Sequence, residues 1–396
     1  MSNVQTLCSF RPAQRIEQVS EYYFSKKLRE IAALNASGKD IISLGVGGPD
    51  RPPHESIIER LCSESRVSSN HSYQSYVGIP ELRESMSTWY QRIYGAKFSP
   101  TTEILPLIGS KEGIMHITMA FINPGDGVLV PNPGYPTYSS VSKLAQAELY
   151  NYDLKPENDW LPDFEELEKL PLDKIKLMWV NYPNMPTGRN GSIELYEKLI
   201  AFGRKHSIVI VNDNPYSRIL NPTPMSIMQV EGARECCIEL NSLSKSHNMA
   251  GWRVGMLVTN ATFVEWILRV KSNVDSGMFR PLQLAAAHAV TLPQEWNDEL
   301  NVEYAARRVI AAEIMAEIGC SFDPKQVGLF LWGRVADDAQ SGEAVCDDLL
   351  DNARVFITPG FIFGDQGTRY VRISLCATQA KMREALERIR EAKNKN

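Results

Sequence analysis

KIKLMWVNY (174–182), ELYEKLIAFGRKH (194–206) and IVIVND (208–213) follow one another closely, and their pattern decides the fold class. The first and third are short apolar runs rich in β-branched residues, the composition of a strand buried on both faces. The second repeats apolar residues three and four apart, as one face of a helix requires. Strand, helix and strand in this order predict a parallel crossover unit. The alternation extends outward in both directions. ILPLIG (104–109) reads as a strand feeding the helical KEGIMHITMAFI (111–122), and NPGDG then turns the chain into VLVP (128–131). LYNYDL (149–154), CIELNSL (237–243) and RVGMLVT (253–259) are further strands, followed by the helical FVEWILRVKSNV (263–274). The expected architecture is α/β, a three-layer αβα large domain with a mostly parallel sheet.

After about residue 290 the texture changes. A charged helix covers roughly 297–318, GLFLWGRV (328–335) is strand-like, SGEAVCDDLLDNA (341–353) helical and YVRISLC (370–376) strand-like, before a closing helix rich in Lys, Arg and Glu. This succession predicts a smaller α+β domain over residues 291–396. The N-terminal stretch, with the helical EYYFSKKLREIAAL (21–34), has no strand partner of its own. It is expected to dock there, so that residues 1–45 join the small domain and residues 46–290 form the large one.

Composition narrows the function classes. The 396 residues are 43% hydrophobic and 22% charged, an ordinary globular balance. A net charge of −5 provides no basic field, so neither nucleic acid nor an anionic membrane surface is an expected partner. The apolar runs are too short to span a bilayer. MSNVQTLCSFRPAQRIEQ lacks an apolar h-region, so a cytoplasmic protein is expected. The seven cysteines are odd in number and form no C-x-x-C, and the six histidines show no ligand spacing. Reduced thiols and no metal are the expectation.

The chemistry concentrates in NSLSKSHNMAGWRVG (241–255). A loop lysine is usually a solvated charge, but Ser242-x-Ser244-Lys245 followed by Gly251-Trp252-Arg253-x-Gly255 is a restrictive pattern. It resembles the Schiff-base lysine motif of the fold type I pyridoxal-phosphate enzymes, specifically the class I/II aminotransferases similar to aspartate aminotransferase. EYYFSKKL (21–28) also looks like the diaminopimelate- and alanine-type branch. Other motifs of that family recur in its order, from about residue 28 to the C-terminal helix.

The resemblance implies pyridoxal 5′-phosphate held by Lys245, with Lys245 also the proton-transferring base. Asp213, in VNDNPYSRIL, then pairs with the pyridine nitrogen, which keeps the ring an electron sink. Tyr216 donates to the ring's phenolic oxygen. Ser110 and Lys111, in the strand-to-helix turn after Gly109, cradle the phosphate with Ser242, Ser244 and Arg253. Tyr135, in PNPGYPTY (131–138), stacks on the ring. Tyr73, in Tyr73-x-x-Tyr76-x-Gly78, reaches the neighbouring subunit's phosphate, which implies a homodimer with shared active sites. Arg372 grips the substrate α-carboxylate, and Gly47, in LGVGGPD (44–50), lies beside it. Arg280, in SGMFRPLQ (276–283), either neutralises a substrate side-chain carboxylate or is an arginine of the dimer surface.

Two departures stand out. The family's Asn-Pro-Thr-Gly appears as Asn184-Met185-Pro186-Thr187-Gly188, with methionine where an asparagine normally contacts the ring oxygen. Asn184 is taken as its substitute, with Asn181 the alternative. Gly48 stands where many relatives carry Glu.

The expected activity is ping-pong transfer of an amino group between an L-amino acid and a 2-oxo acid, with an aspartate-, glutamate- or diaminopimelate-type donor. A C–S β-lyase is the alternative on the same fold. A cofactor-sensing regulator needs a basic helix-turn-helix domain, and only about 40 residues precede LGVGGPD. A nicotinamide-binding protein needs G-x-G-x-x-G, whereas the chain has G-V-G-G at 45–48.

Overall fold

The computed structural model describes residues 10–395, so Cys8 lies outside the described residues. Seven strands form the main sheet: β1 (Ile104–Leu107), β2 (Gly127–Asn132), β3 (Glu148–Asp153), β4 (Ile175–Val180), β5 (Val209–Asp213), β6 (Cys237–Ser242) and β7 (Gly255–Val258). Their order is β1-β7-β6-β5-β4-β2-β3. Six are parallel to one another, and β7 runs against both of its neighbours. β7 is reversed because the chain between β6 and β7 carries only two short turns, Leu243–Ser246 and Ala250–Trp252, and no crossover helix.

Strand alternation builds the layers. In β4, Leu177 and Trp179 enter the apolar cluster on one face of the sheet, while Met178 and Val180 enter the cluster on the other. The first face is covered by helices Ser110–Phe121 and Ala261–Lys271. The second is covered by Glu55–Glu64, Pro80–Tyr94, Ile193–His206 and Arg280–Thr291. Sequence periodicity did not reveal the last of these. Eight of its twelve residues are buried, so it has almost no polar face to mark a period.

The C-terminal region makes a three-stranded antiparallel sheet from Phe330–Arg334, Thr358–Pro359 and Tyr370–Ser374. Helices Gln294–Glu317 and Gln379–Lys393 pack against each other beside it. Ile42–Ser43 pairs in parallel with Val355–Phe356, and Ile42 and Leu44 join the C-terminal apolar cluster. The helix predicted over 341–353 is α-helical from Gly342 to Asp348 and widens into a π turn over Leu349–Ala353. No helix among the described residues is long and apolar enough to cross a membrane.

This topology brings the carboxyl ends of six parallel strands and the start of β7 to one edge, where open α/β sheets bind ligands. Ile210, fully buried in β5, sits at the centre of the supporting core. Ile210→Ala is expected to lower the unfolding free energy by about 3 kcal/mol without changing the urea m-value, as read from equilibrium unfolding.

Candidate active site

A cavity of about 380 Å³ opens at that edge. Asp213 ends β5, Ser242 ends β6, Asn181 follows β4 and Arg253 precedes β7. In the ladder, Gly255 pairs with Ser242 on one side and with Leu107 on the other. The register alone therefore carries Arg253 to the turn that opens helix Ser110–Phe121. Gly109 caps that helix with φ +77°, and a Cβ there would collide with the Arg253 guanidinium. Arg253 donates through Nη1 to the Ala250 carbonyl at 2.9 Å and stands 3.5 Å from Ser244 Oγ. Ser242 Oγ caps its own turn, accepting from Ser244 N–H at 3.1 Å. A helix N-terminus beside a guanidinium is an anion site.

Asp213 is 5% exposed. Its Oδ2 accepts from the Tyr138 hydroxyl at 2.9 Å, whereas its Oδ1 has no partner among the described residues. Tyr138 is itself held by stacking on Trp179, with ring centres 5.0 Å apart. Tyr216 and Tyr135 also line the cavity, Tyr216 with its ring against Phe330 and Tyr135 edge-on to Tyr138. Lys245 donates to the Gly47 carbonyl across the cavity. Lys111 extends over the Tyr22 ring, 4.6 Å from its centre.

Arg372 is buried without a carboxylate. Nη2 donates to the Gly45 carbonyl at 2.9 Å, Nη1 lies 3.2 Å from Met185 Sδ, and Nε has no partner among the described residues. The rings of Phe330, Phe363 and Phe24 surround the guanidinium, the nearest 4.0 Å away. Gly47 packs beneath Phe330 so closely that a Cβ would strike the ring.

Three expected residues are elsewhere. Asn184 is buried in its own turn, its Oδ1 accepting from the Thr187 hydroxyl at 2.8 Å and the Thr187 N–H at 3.3 Å. Asn181 lines the cavity instead, donating to the Asp213 carbonyl and accepting from Met185 N–H at 2.8 Å. Segment 181–188 folds into a turn closed by Gly188 N–H on the Asn184 carbonyl, so the side chains of 181 and 184 leave in different directions. Tyr73 is 91% exposed, on a surface groove it shares with His71, Met278 and Phe279. Arg280 is paired with Glu81 at 2.7 Å. Neither lines this chain's own cavity.

Sequence reading missed Tyr138, Tyr22, Phe24, Phe330 and Phe363. Tyr138 had a signal: it lies one helical turn beyond Tyr135 at the start of helix Pro136–Leu144. The fold also gathers Glu112 and His116, one turn apart on helix Ser110–Phe121, with the sequence-distant Asp275. The buried Lys271 ammonium bonds Asp275 and lies 3.6 Å from Glu112, balancing the acids internally.

Residues 39–389 match the family described as Aminotransferase class I and II. The chain belongs to the class I and II aminotransferases. LL-diaminopimelate aminotransferase of Dehalococcoides mccartyi is 38% identical over 95% of this chain and 97% of its own length. That of Aquifex aeolicus is 39% identical over 97% of this chain and all of its own. Among solved structures, BacF of Bacillus subtilis superposes with a TM-score of 0.92 at 35% identity, covering 97% of this chain and 98% of its own.

Class I and II aminotransferases use pyridoxal 5′-phosphate, and the cavity fits it. The orphaned Asp213 Oδ1 suits a ring N–H, and the Gly109–Arg253 cradle suits a phosphate. Burial pushes the Asp213 carboxyl up to about 7; the Glu239 charge adds to this and the Tyr138 hydrogen bond opposes it. Burial lowers the Lys245 ammonium, and the charges of Arg372 and Arg253 push the same way. Burial also brings the Arg372 guanidinium down to about 10.

The aminotransferase without cofactor therefore holds the Asp213 proton more tightly when folded than when unfolded. Its stability falls as pH rises from about 4 to about 7, because over that range the unfolded chain releases the Asp213 proton while the folded state retains it. Urea unfolding across this range is expected to show that fall in the cofactor-free protein. The fall should shrink in Asp213→Asn and when cofactor supplies a cation to Asp213.

Proposed function

We propose that the aminotransferase moves the amino group of an L-amino acid with two carboxylates, of the diaminopimelate type, to a 2-oxo acid. The cavity carries the class of reaction: Asp213, with one unpartnered oxygen, and Lys245 line the same pocket. The donor type rests on the full-length likeness to LL-diaminopimelate aminotransferases.

Bound pyridoxal phosphate supplies an aldehyde that condenses with amines and a ring that withdraws electrons from Cα. Asp213 keeps the proton on the ring nitrogen. Tyr216 donates to the ring oxygen, and Tyr135 covers a face of the ring. Arg253, Ser110, Lys111, Ser242 and Ser244 hold the phosphate end. Asn181 replaces Asn184 in the cofactor wall, where it fixes the backbone of Asp213 and Met185. Arg372 takes the α-carboxylate beside Gly47, with the fork geometry that a carboxylate matches. Lys245, uncharged more readily because it is buried among cations, takes the Cα proton at Nζ and would return it to the cofactor carbon on the far side of the amino nitrogen. The 2-oxo acid leaves before the acceptor enters, which gives ping-pong kinetics.

We read residues 1–45 and 291–396 as one small domain closing over a large domain of 46–290. We also read the protein as a cytoplasmic homodimer in which Tyr73 serves the partner's phosphate. The exposure of Tyr73 and its neighbour Phe279 supports that surface as a subunit contact. Arg280, already neutralised by Glu81, belongs to the same surface rather than to substrate.

Lys245→Ala is expected to abolish turnover while leaving the fold intact by circular dichroism; retained activity would refute the lysine's role. A screen of purified enzyme with LL-diaminopimelate, aspartate, glutamate, alanine and phenylalanine follows loss of the bound cofactor's visible band. Conversion by diacid donors alone is expected. Equal conversion by alanine or phenylalanine would overturn the donor assignment, and release of pyruvate with ammonia from added L-cystathionine in the absence of acceptor would indicate a lyase.

A further inference from the structure

The loop Gly45–Pro53 forms one wall of the cavity, yet none of its backbone N–H groups makes a backbone hydrogen bond among the described residues. Side chains hold it instead. Arg372 and Thr358 both donate to the Gly45 carbonyl, at 2.9 and 2.8 Å. Lys245 donates to Gly47 and Asn248 to Pro52. The strongest hold is at Asp50. Arg307, from helix Gln294–Glu317, grips it bidentately, Nη1 to Oδ1 at 2.6 Å and Nη2 to Oδ2 at 3.0 Å.

The same guanidinium reaches the opposite wall. Nη1 also donates to the Leu375 carbonyl at 3.0 Å, at the end of the strand that carries Arg372. Nε is fixed by Glu303 at 2.7 Å, and Glu303 in turn accepts from Gln379 at 2.9 Å. Arg307 is 2% exposed, so its fork is desolvated and fully committed. One buried planar group thus bridges the acidic end of the glycine loop to the Arg372 strand, beyond the bonds of Thr358 and Arg372 to Gly45 and of Ser374 N–H to Leu44 at the loop's start. Arg372 lies between those walls with only a carbonyl and a thioether as partners, and its alignment depends on them.

We propose that Arg307 and Asp50 form a positioning clamp that holds the substrate-carboxylate pocket at its working width, touching neither substrate nor cofactor. This rests on the reading of Arg372 as the α-carboxylate residue. Slack between two walls weakens binding of the group held between them more than it alters chemistry at Lys245.

The test is steady-state kinetics of cofactor-loaded Asp50→Asn, Arg307→Lys, the double variant and Arg372→Lys. LL-diaminopimelate and L-glutamate are the donors, and cofactor affinity is measured by fluorescence. Each clamp variant is expected to raise donor KM by about tenfold with kcat within about twofold and cofactor affinity unchanged. The double variant should resemble either single one, because both break one interaction. A KM that stays put in both single variants, or effects that multiply in the double, would overturn the clamp. A lowered melting temperature without the KM rise would do so too, since it marks a structural role only. Arg372→Lys separates the two readings. If it leaves KM unchanged, the carboxylate assignment falls and the clamp with it; if it raises KM while the clamp variants do not, only the clamp falls.

Discussion

Asp213 is a carboxylate taken out of water with a single side-chain donor, the Tyr138 hydroxyl, and one oxygen left bare. A buried acid of this kind is costly unless a cation or an N–H comes to it. Among the described residues none does: the nearby Glu239 is another acid, and Lys245 is turned toward Gly47. The fold maintains this expense by ending β5 at Asp213 between β4 and β6 and by stacking Tyr138 on Trp179. A protonated ring nitrogen would remove it, which is the role proposed for the bound cofactor at Asp213.

The cations have the complementary problem. Lys111, Lys245, Arg253 and Arg372 all line a cavity in which Asp213 is the only carboxylate among the lining residues. Arg372 is the extreme case, surrounded by aromatic rings and without an acid. In the proposed reading, a phosphate at the Gly109 turn and a substrate carboxylate at Arg372 would each bring an anion to this excess of cations. The near-neutral overall charge of −5 conceals this local excess.

The parallel strands were legible because strands buried on both faces are short apolar runs, and in Leu177–Val180 even the two faces can be told apart. Lys245, Asp213 and Arg253 were read from the family's ordered motifs, and the fold brings all three to the sheet's carboxyl edge. Arg372 carried no signal of its own and entered only through family resemblance. Helix Arg280–Thr291 was hidden by burial all round. Asn184 was preferred to Asn181 because a linear reading cannot see the turn that Gly188 closes on Asn184. Asp50 and Arg307 lie 257 positions apart, and only the docking of the C-terminal helix on the glycine loop makes them a pair.

Borohydride reduction of the cofactor-loaded protein, followed by peptide mapping, tests the central claim most directly. Reduction fixes a pyridoxyl group permanently to whichever amine carries the cofactor. The account predicts one modified residue, Lys245, and loss of that label in Asp213→Asn at limiting cofactor. A label on Lys111, on another lysine or on none would contradict it.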